Sequence, residues 1–395
     1  MKPYDFIIAG GGLAGLSLAC HLVHSPLRDR RILIVDIDPK KCNDRTWGYW
    51  TDRPIFCFDE IVCHRWDRLR VASQGEAQIL PLGQHRYCVI RGLDFYEYAR
   101  QQLAPYPNVH FLQGRVDRIE DGKDTAMVTV DGRQIAGTWV FDSLPPRIDL
   151  DAPDAHHYHY LRMHFRGWEI ETPEPVFDPR TVTFLDFRIP QARALRFFYV
   201  LPFTERRAMV EYTLFSDQTL RRDVYERALR SYLEGTLGLV TYNVVSTERG
   251  SVTITDQPLP RQLGRRVLSI GAKAGRVKPS TGYAFVRVQK DSAGIVDSLL
   301  LYGHPFDVPE DPDLYDLLDA VMLQVMERHG EHIQRAFTAM FRRNPVDHIF
   351  NFLDESASPW ENLLLISSLP PQLFLRAALS LLNVPPRVLR GMMEG

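Results

Sequence analysis

A glycine-rich turn between a predicted strand and a predicted helix constrains this chain more than any other stretch. The apolar run Phe6–Ala9 indicates a buried parallel strand. It continues into Gly10-Gly11-Gly12-Leu13-Ala14-Gly15, which fits the pattern G-x-G-x-x-G, and then into Leu16–Val23, whose apolar residues have helical spacing. In this pattern the first glycine permits a tight turn, the second lets the backbone approach a pyrophosphate, and the third packs the helix against the strand. The turn therefore predicts a dinucleotide bound at the free amides of a helix N-terminus.

A second predicted strand supports this interpretation. Ile32–Val35 is apolar and ends at Asp36, which follows Gly15 by about twenty residues, the separation typical of a carboxylate that binds the ribose of a dinucleotide. A glycine-rich turn without a ligand is the alternative. The order of strand, glycine turn, helix, second strand and terminal acid favours dinucleotide binding.

The composition excludes several classes of protein. The chain has 395 residues and a formal net charge of −2, so it offers no electrostatic basis for binding nucleic acid. Its five cysteines are an odd number without C-x-x-C spacing, which indicates reduced thiols in a cytosolic protein. The thirteen histidines show no metal-ligand spacing, so no metal is predicted. We expect no signal peptide and no transmembrane helix, and hence a protein that is soluble or bound to a membrane surface.

The predicted elements leave the nucleotide-binding sheet and later return to it. Residues 1–60, 92–150 and 256–303 are predicted to form a Rossmann-type domain, residues 61–91 and 151–255 a mixed β-sheet substrate domain, and residues 304–395 a helical C-terminal region. This α/β organisation is typical of two-domain flavoproteins of the glutathione-reductase and hydroxylase class. In the substrate domain, alternating residues predict a largely antiparallel sheet with one aromatic face, which is either a core or one wall of an apolar pocket.

Three further segments are ambiguous in the sequence. The predicted loop Ile37–Asp52 contains Arg45-Thr46-Trp47-Gly48-Tyr49-Trp50, whose aromatic side chains line a flat apolar ligand or belong to an ordinary core. Thr241–Ile254 is predicted to be two short strands. Leu373–Leu382 is predicted to be a helix that lies in a membrane interface with Arg376 reaching the headgroups, or one that packs in the core.

Glu211 is an isolated acid in the apolar, aromatic strand Ala208–Phe215. An isolated buried carboxylate is costly, so we expect burial to raise its pKa and to keep it neutral, which makes it a proton donor. A solvent-facing glutamate, or one paired with Arg206 or Arg207, is the alternative. Asp186 is a second acid of this kind, although Arg188 lies on its side of the strand and would neutralise it.

The chain resembles the bacterial lycopene cyclases from its first strand to about Leu301, with a weaker helical tail. The residues that carry the resemblance, in order, are Arg45-Thr46-Trp47, Val140-Phe141-Asp142, His164-Phe165-Arg166-Gly167-Trp168-Glu169-Ile170, Leu185-Asp186-Phe187-Arg188, Phe198-Tyr199-Val200-Leu201-Pro202, Val210-Glu211-Tyr212-Thr213 and Lys278-Pro279-Ser280-Thr281-Gly282-Tyr283. Their order and spacing are specific together, and none would decide alone.

The resemblance implies FAD as the dinucleotide, a linear carotene such as lycopene as the substrate, and Glu211 as the catalytic acid, with Asp186 as a second acid–base residue. The resemblance and the glycine patterns together assign thirteen residues to the cofactor site: Gly10, Gly12, Leu13, Ala14, Gly15, Asp36, Arg45, Gly271, Lys278, Pro279, Thr281, Gly282 and Tyr283. The Gly-Asp pair that many flavin hydroxylases carry is here Gly271-Ala272, and Lys273 in that loop has no assigned role.

The resemblance also implies a redox-neutral reaction. Glu211 protonates the terminal double bond, the neighbouring double bond closes a six-membered ring, and loss of a proton gives the β-ring. In this family the reduced, anionic flavin is thought to stabilise the cation, with NAD(P)H as the reductant and with cation–π contacts from Trp47 or Phe198. The implied location is cytoplasmic, at the inner face of the cell membrane. A flavin-dependent aromatic hydroxylase and a carotenoid or flavin carrier remain the alternatives.

Overall fold

The computed structural model describes residues 2–146, 148 and 157–382 of the chain. The predicted domain boundary at residues 150 and 151, and the last thirteen residues of the predicted helical region, 383–395, lie outside the described residues. The strands, numbered in chain order, are β1 Tyr4–Ala9, β2 Ile32–Asp36, β3 Thr46–Thr51, β4 His64–Trp66, β5 Arg68–Ser73, β6 Glu76–Pro81, β7 Arg86–Arg91, β8 Val109–Gln113, β9 Val116–Glu120, β10 Ala126–Val130, β11 Arg133–Asp142, β12 Tyr160–Glu171, β13 Thr181–Asp186, β14 Leu195–Pro202, β15 Arg207–Ser216, β16 Asn243–Thr255 and β17 Val267–Ser269. The α-helices are α1 Leu13–Val23, α2 Gly92–Leu103, α3 Arg222–Ser231, α4 Phe285–Tyr302, α5 Asp313–His329, α6 Ile333–Arg343, α7 Val346–Leu353, α8 Pro359–Ser368 and α9 Pro371–Leu382.

The first sheet is built around β1 and has the predicted Rossmann arrangement. Its order is β8-β2-β1-β11-β10-β9, and β17 adds to β11. Strand β1 pairs in parallel with both β2 and β11. Phe6 and Ile8 pack against the helical layer of α1, α2 and α4, while Ile7 packs into the apolar cluster on the other face. Both faces of β1 are therefore covered, as its continuous apolar run predicted.

The second sheet has the order β16-β12-β15-β14-β13-β5-β6 and is antiparallel except for the pair β13 and β5. One face packs against the C-terminal helices, through residues such as Phe184, Phe341 and Phe350. The other face packs against α3 around the stacked rings of Phe198 and Tyr232. Because both faces of this sheet are covered by helices, aromatic residues are buried on both sides of its strands.

Two local predictions were wrong. The predicted loop around Arg45–Trp50 contains β3, which pairs with β7 in a third sheet of order β3-β7-β4, because alternating aromatic residues favour an extended strand there. The segment predicted as two strands is the single strand β16, because it pairs with β12 along almost its whole length, with one bulge at Glu169/Ile170.

The C-terminal region is helical, and its helices α5 to α9 cover the second sheet. Lys278, in the loop before α4, connects that loop to the C-terminal region. Its Nζ donates hydrogen bonds to Glu355 Oε1 at 2.6 Å and to Asp319 Oδ2 at 3.2 Å. Among the described residues no single helix is long and apolar enough to span a bilayer, whereas α8 and α9 meet that test as a pair that bends by 113°.

Gly15 marks the closest approach of α1 to β1, and we predict that it is required for folding. A Cβ atom at Gly15 would lie 1.9 Å from the Gly10 carbonyl oxygen and 2.9 Å from Ile8 Cγ2. Because the backbone oxygen cannot turn away, Gly15→Ala should lower the free energy of unfolding by about 2 kcal/mol or more. Gly235→Ala, at an exposed glycine with no heavy atom within 4 Å of the added Cβ, is the matched control. Urea unfolding that gives equal stability for the two variants would contradict the prediction.

Candidate functional site

A cavity of about 670 Å³ connects the glycine turn of the first sheet to the second sheet. Ten of the thirteen residues predicted to hold the cofactor line this cavity: Gly10, Gly12, Leu13, Ala14, Asp36, Arg45, Gly271, Thr281, Gly282 and Tyr283. Glu211 lines its far end. The structure thus brings the predicted nucleotide turn and the predicted acid into one continuous space.

The near end of the cavity has the form of an anion-binding cradle. Gly10 adopts φ +109°, a backbone conformation that favours glycine, and Gly12 caps α1 without any side-chain hydrogen bond to the first helical amides. A Cβ atom at Gly12 would meet nothing within 4 Å, so open space lies in front of these amides. Asp36 accepts a hydrogen bond from the Gly11 amide at 2.6 Å, which holds the carboxylate at the turn. These features fit the pyrophosphate and ribose of a dinucleotide.

The second glycine-containing loop, residues 271–283 between β17 and α4, borders the cavity only in part. Gly271 and Gly282 line it with φ of +63° and +78°, next to Thr281 and Tyr283. Lys278 does not line the cavity, because Asp319 and Glu355, on the side of the C-terminal helices, hold its buried ammonium group. The side chain of Lys278 therefore does not reach the predicted cofactor site, and Pro279 does not line the cavity either. Lys273 is paired with Asp142, which gives it a structural role.

Glu211 on β15 lines the cavity, as does Thr213, which is two residues further along the strand and therefore on the same face. Oε1 of Glu211 accepts a hydrogen bond from Thr213 Oγ1 at 2.7 Å. Burial raises the pKa of Glu211 well above its usual range, and the negative charge of Glu248 raises the pKa further. The direction of this shift favours the protonated, neutral form of the carboxyl group, which is the form that a proton donor facing the cavity needs.

Glu248 on β16 is a functional candidate that the sequence did not reveal. It is buried, lines the same cavity, and accepts a hydrogen bond from Thr46 Oγ1 at 2.8 Å. Burial raises the pKa of Glu248 as well, but the hydrogen bonds from Thr46 and Glu211 oppose that rise and favour its ionised form. The side chains of Glu211 and Glu248 interact with each other, and this interaction raises the pKa of Glu211 while it opposes the rise in the pKa of Glu248, which favours a proton held by Glu211.

The meeting of these two acids depends on Gly167. Strand β12 lies between β15 and β16, and Gly167 is the register partner of both Glu211 and Glu248. A Cβ atom at Gly167 would lie 3.1 Å from Glu248 Cγ and 3.6 Å from Glu211 Cβ. The missing side chain leaves room for the two glutamates to meet above the central strand.

Asp186, the second predicted acid, does not join the cavity. It is fully buried, receives hydrogen bonds from Arg188 Nη2 at 2.6 Å and from Tyr232 OH at 2.7 Å, and packs toward α3. The expected neutralisation by Arg188 is present, and the position of Asp186 leaves it no route to a ligand in the cavity. Phe198 is also absent from the lining, since it stacks on Tyr232 with ring centroids 3.9 Å apart.

Aromatic side chains form much of the wall around the two acids. Trp47 and Phe165 line the cavity together with three tyrosines, Tyr87, Tyr199 and Tyr283. The Tyr283 hydroxyl is 3.1 Å from the hydroxyls of both Tyr87 and Tyr199, so these polar groups satisfy one another. The sequence left open whether Trp47 lines a ligand site or belongs to a core, and in the structure Trp47 both lines the cavity and packs edge to face on Phe95 and Tyr96.

A solved structure of aklavinone-11 hydroxylase, in a ternary complex with FAD and aklavinone, has a similar fold. It superposes with a TM-score of 0.58 at 15% identity, and the match covers 85% of this chain and 71% of that one. This likeness shows the fold alone. It confirms the predicted fold class, an α/β flavoprotein of the hydroxylase type with a mixed-sheet second domain.

Two curated relatives are similar in sequence. Chloroplastic neoxanthin synthase of Solanum tuberosum is 25% identical over 308 residues, which are 72% of this chain and 58% of the relative. The chain therefore spans less than two thirds of that relative's length. Lycopene beta-cyclase of Pantoea ananas is 24% identical over 297 residues, which are 72% of each chain.

A family model described as "Lycopene cyclase protein" matches residues 5–379. The match begins in β1, which carries the glycine turn, and ends in α9, so it includes both acids and all three sheets. The motifs that suggested the resemblance lie within this span. The chain belongs to the lycopene cyclase family.

Proposed function

We propose that this protein is a lycopene β-cyclase that binds FAD and converts the acyclic ends of lycopene into β-rings without net redox change. The observation that supports this most directly is the acid Glu211, whose pKa is raised by burial, in an aromatic cavity that is continuous with the dinucleotide cradle. A carotene has no polar group to anchor, which suits a cavity with aromatic walls and few charged side chains near the acid.

The residues of the cradle fit FAD. The open amides before α1 would hold the pyrophosphate, and Asp36 would hold the ribose. Gly271, Thr281 and Gly282 would border the flavin end, where they line the cavity. When bound in its reduced, anionic form, with NAD(P)H as the reductant, the flavin supplies negative charge near a developing cation.

Glu211 would begin the reaction by transferring its proton to the terminal double bond of the substrate. Thr213 fixes the orientation of the carboxyl group, since its hydroxyl donates to Oε1. The tertiary cation that forms is attacked by the neighbouring double bond, which closes a six-membered ring. Trp47 and Phe165 line this end of the cavity and offer aromatic faces to the positive charge. Loss of a proton then gives an isomer of the starting carotene.

The helices α8 and α9 support a proposal that the protein lies on the inner face of the cell membrane, from which an insoluble carotene would enter. Trp360, Leu363, Leu375 and Leu379 expose more than half of their surface. Arg376 is exposed beside them on α9, where its charge suits anionic headgroups.

We predict that Glu211→Gln abolishes ring formation, because an amide cannot serve as the acid. The expected loss in turnover is at least about 100-fold. Lycopene and the reduced flavin would be incubated without oxygen, and the pigments separated by chromatography. Asp186→Asn is the control, since it changes an acid outside the cavity and should leave turnover within a few-fold of the wild type, provided that the variant retains flavin. Ring formation by Glu211→Gln would refute the assignment.

Ring formation should also proceed without oxygen and without transfer of hydride to the product. A nicotinamide that carries deuterium at its transferable position should leave no deuterium in the carotene, which mass spectrometry would show. A flavin-dependent aromatic hydroxylase, the main alternative, would instead consume oxygen and NAD(P)H in proportion to product. Stoichiometric oxygen uptake measured with an electrode would favour that alternative.

The membrane proposal predicts that the double variant Trp360→Ser/Leu375→Ser binds anionic vesicles at least about tenfold more weakly, because two apolar side chains no longer enter the lipid. Flotation of the protein with vesicles measures the bound fraction. Val240→Ser, at a residue that is 89% exposed but lies outside these helices, should bind as the wild type does. Equal flotation of all three proteins would exclude α8 and α9 as the contact.

A further inference from the structure

A cyclisation that begins with a proton from Glu211 must end with the removal of a proton, and the second step needs a base. At the start the O–H bond of Glu211 breaks and a C–H bond forms at the terminal alkene carbon. A C–C bond then closes the ring and moves the positive charge to a ring carbon. Finally a ring C–H bond breaks, and its electron pair becomes the ring double bond. One proton enters and one leaves, so no other reactant is consumed.

Few groups near Glu211 are able to accept that proton. Among the described residues, the acids that line the cavity are Asp36, Asp38, Glu211 and Glu248, and the first two lie at the glycine turn. No described histidine lines the cavity. Burial raises the pKa of Tyr87, Tyr199 and Tyr283, which keeps their hydroxyls protonated. Two bases remain beside the substrate: the Glu211 carboxylate that the first step leaves, and Glu248, which favours its ionised form before the reaction begins.

We propose that Glu248 is the base that removes the proton from the cyclised cation, and that this proton returns to Glu211 across the hydrogen bond above Gly167. The inference rests on the proposed cyclase function and adds a second catalytic residue to it. Its consequence is that Glu248 sets the position of the ring double bond, because a β-ring results only if the proton leaves the former alkene carbon that the new C–C bond joins, beside the carbon that carries the charge.

The positions of Glu211 and Glu248 suit an acid and a base that act on neighbouring parts of the substrate. The carbon that gains a proton and the carbon that loses one are both bonded to the same ring carbon, and so lie roughly 2.5 Å apart. Hydrogen-bonded oxygens of two carboxyl groups lie about 2.5–3.0 Å apart. One carboxyl group can therefore contact the carbon that gains a proton while the other contacts the carbon that loses one. Thr213 holds Oε1 of Glu211 and Thr46 holds Oε2 of Glu248, which leaves Oε2 of Glu211 and Oε1 of Glu248 for the interaction between the two side chains.

The charges of the pair also favour the cycle. Before the reaction the pair carries one proton and one negative charge. After Glu211 has given up its proton, two carboxylates face each other, and their mutual repulsion makes each a stronger base. The cation beside them is stabilised by both charges until it loses its proton. Transfer from Glu248 to Glu211 then restores the starting state without a proton from solvent.

The decisive experiment is Glu248→Gln, assayed with lycopene and reduced flavin without oxygen. Glutamine keeps a carbonyl oxygen that accepts a hydrogen bond from Glu211, so the first protonation should persist. We expect turnover to fall at least about tenfold, and part of the product to carry γ- or ε-rings in place of β-rings. A purely structural role for Glu248 would lower the rate without changing the position of the double bond. Wild-type turnover with β-rings alone would overturn the proposal, as would slow formation of β-rings alone.

Gly167→Ala is a second test that leaves both acids in place. The added Cβ lies 3.1 Å from Glu248 Cγ and 2.9 Å from Met209 Sδ, so it pushes the Glu248 side chain away from its partner. We expect the same change in the ring product, and this variant decides the question if Glu248→Gln does not fold. Gly235→Ala controls for the added methyl group. These outcomes differ from a failure of the proposed cyclase function itself, because in that case the wild-type protein would form no ring at all.

Discussion

Two carboxyl groups that face each other in an apolar cavity constrain the rest of this site. Side by side and away from water, two negative charges would repel each other, and this repulsion favours a proton held between the two groups. The second sheet places Glu211 and Glu248 on strands that flank β12, about 10 Å apart at the backbone. Glutamate is long enough to bridge that span and Gly167 leaves the space free. An aspartate at either position, or a side chain at Gly167, would separate the groups.

The three sheets meet where this pair lies, and the short strand β3 links them. Arg45 and Thr46 are consecutive in sequence and both line the cavity, and Thr46 also orients Glu248. Trp47 continues the same wall and packs edge to face on Phe95 of α2, in the helical layer of the first sheet. The protein has the fold of flavin-dependent hydroxylases, yet the groups brought together around its cavity are those of acid–base chemistry. The fold provides the cofactor site, and a few side chains on the second and third sheets determine what happens beside it.

The sequence predicted the nucleotide-binding sheet well because its signals are local. The strand β1, the glycine turn and Asp36 follow one another within a short stretch of the chain. Glu211 was found because it is isolated among apolar neighbours. Glu248 was missed because it follows Ser246-Thr247 and precedes Arg249, so its strand resembles an exposed edge. Its partnership with Glu211 depends on the pairing of three strands, which no single segment reveals. The partners of the Lys278 side chain were not foreseen for the same reason, since Asp319 and Glu355 lie far along the chain.

The ion pairs of Lys278 have a consequence for how the chain acquires its cavity. Lys278 is only five positions before Tyr283, which lines the cavity, and its partners belong to α5 and to the turn after α7. Until those helices dock, a cation without counter-ions would remain beside the aromatic wall, and taking it out of water alone would be costly. Folding of the C-terminal helices and completion of the cavity are therefore parts of one cooperative event. A shortened chain that ends before α5 would lose more than the exposed apolar side chains of α8 and α9, because the wall that carries Tyr283 would lose its support.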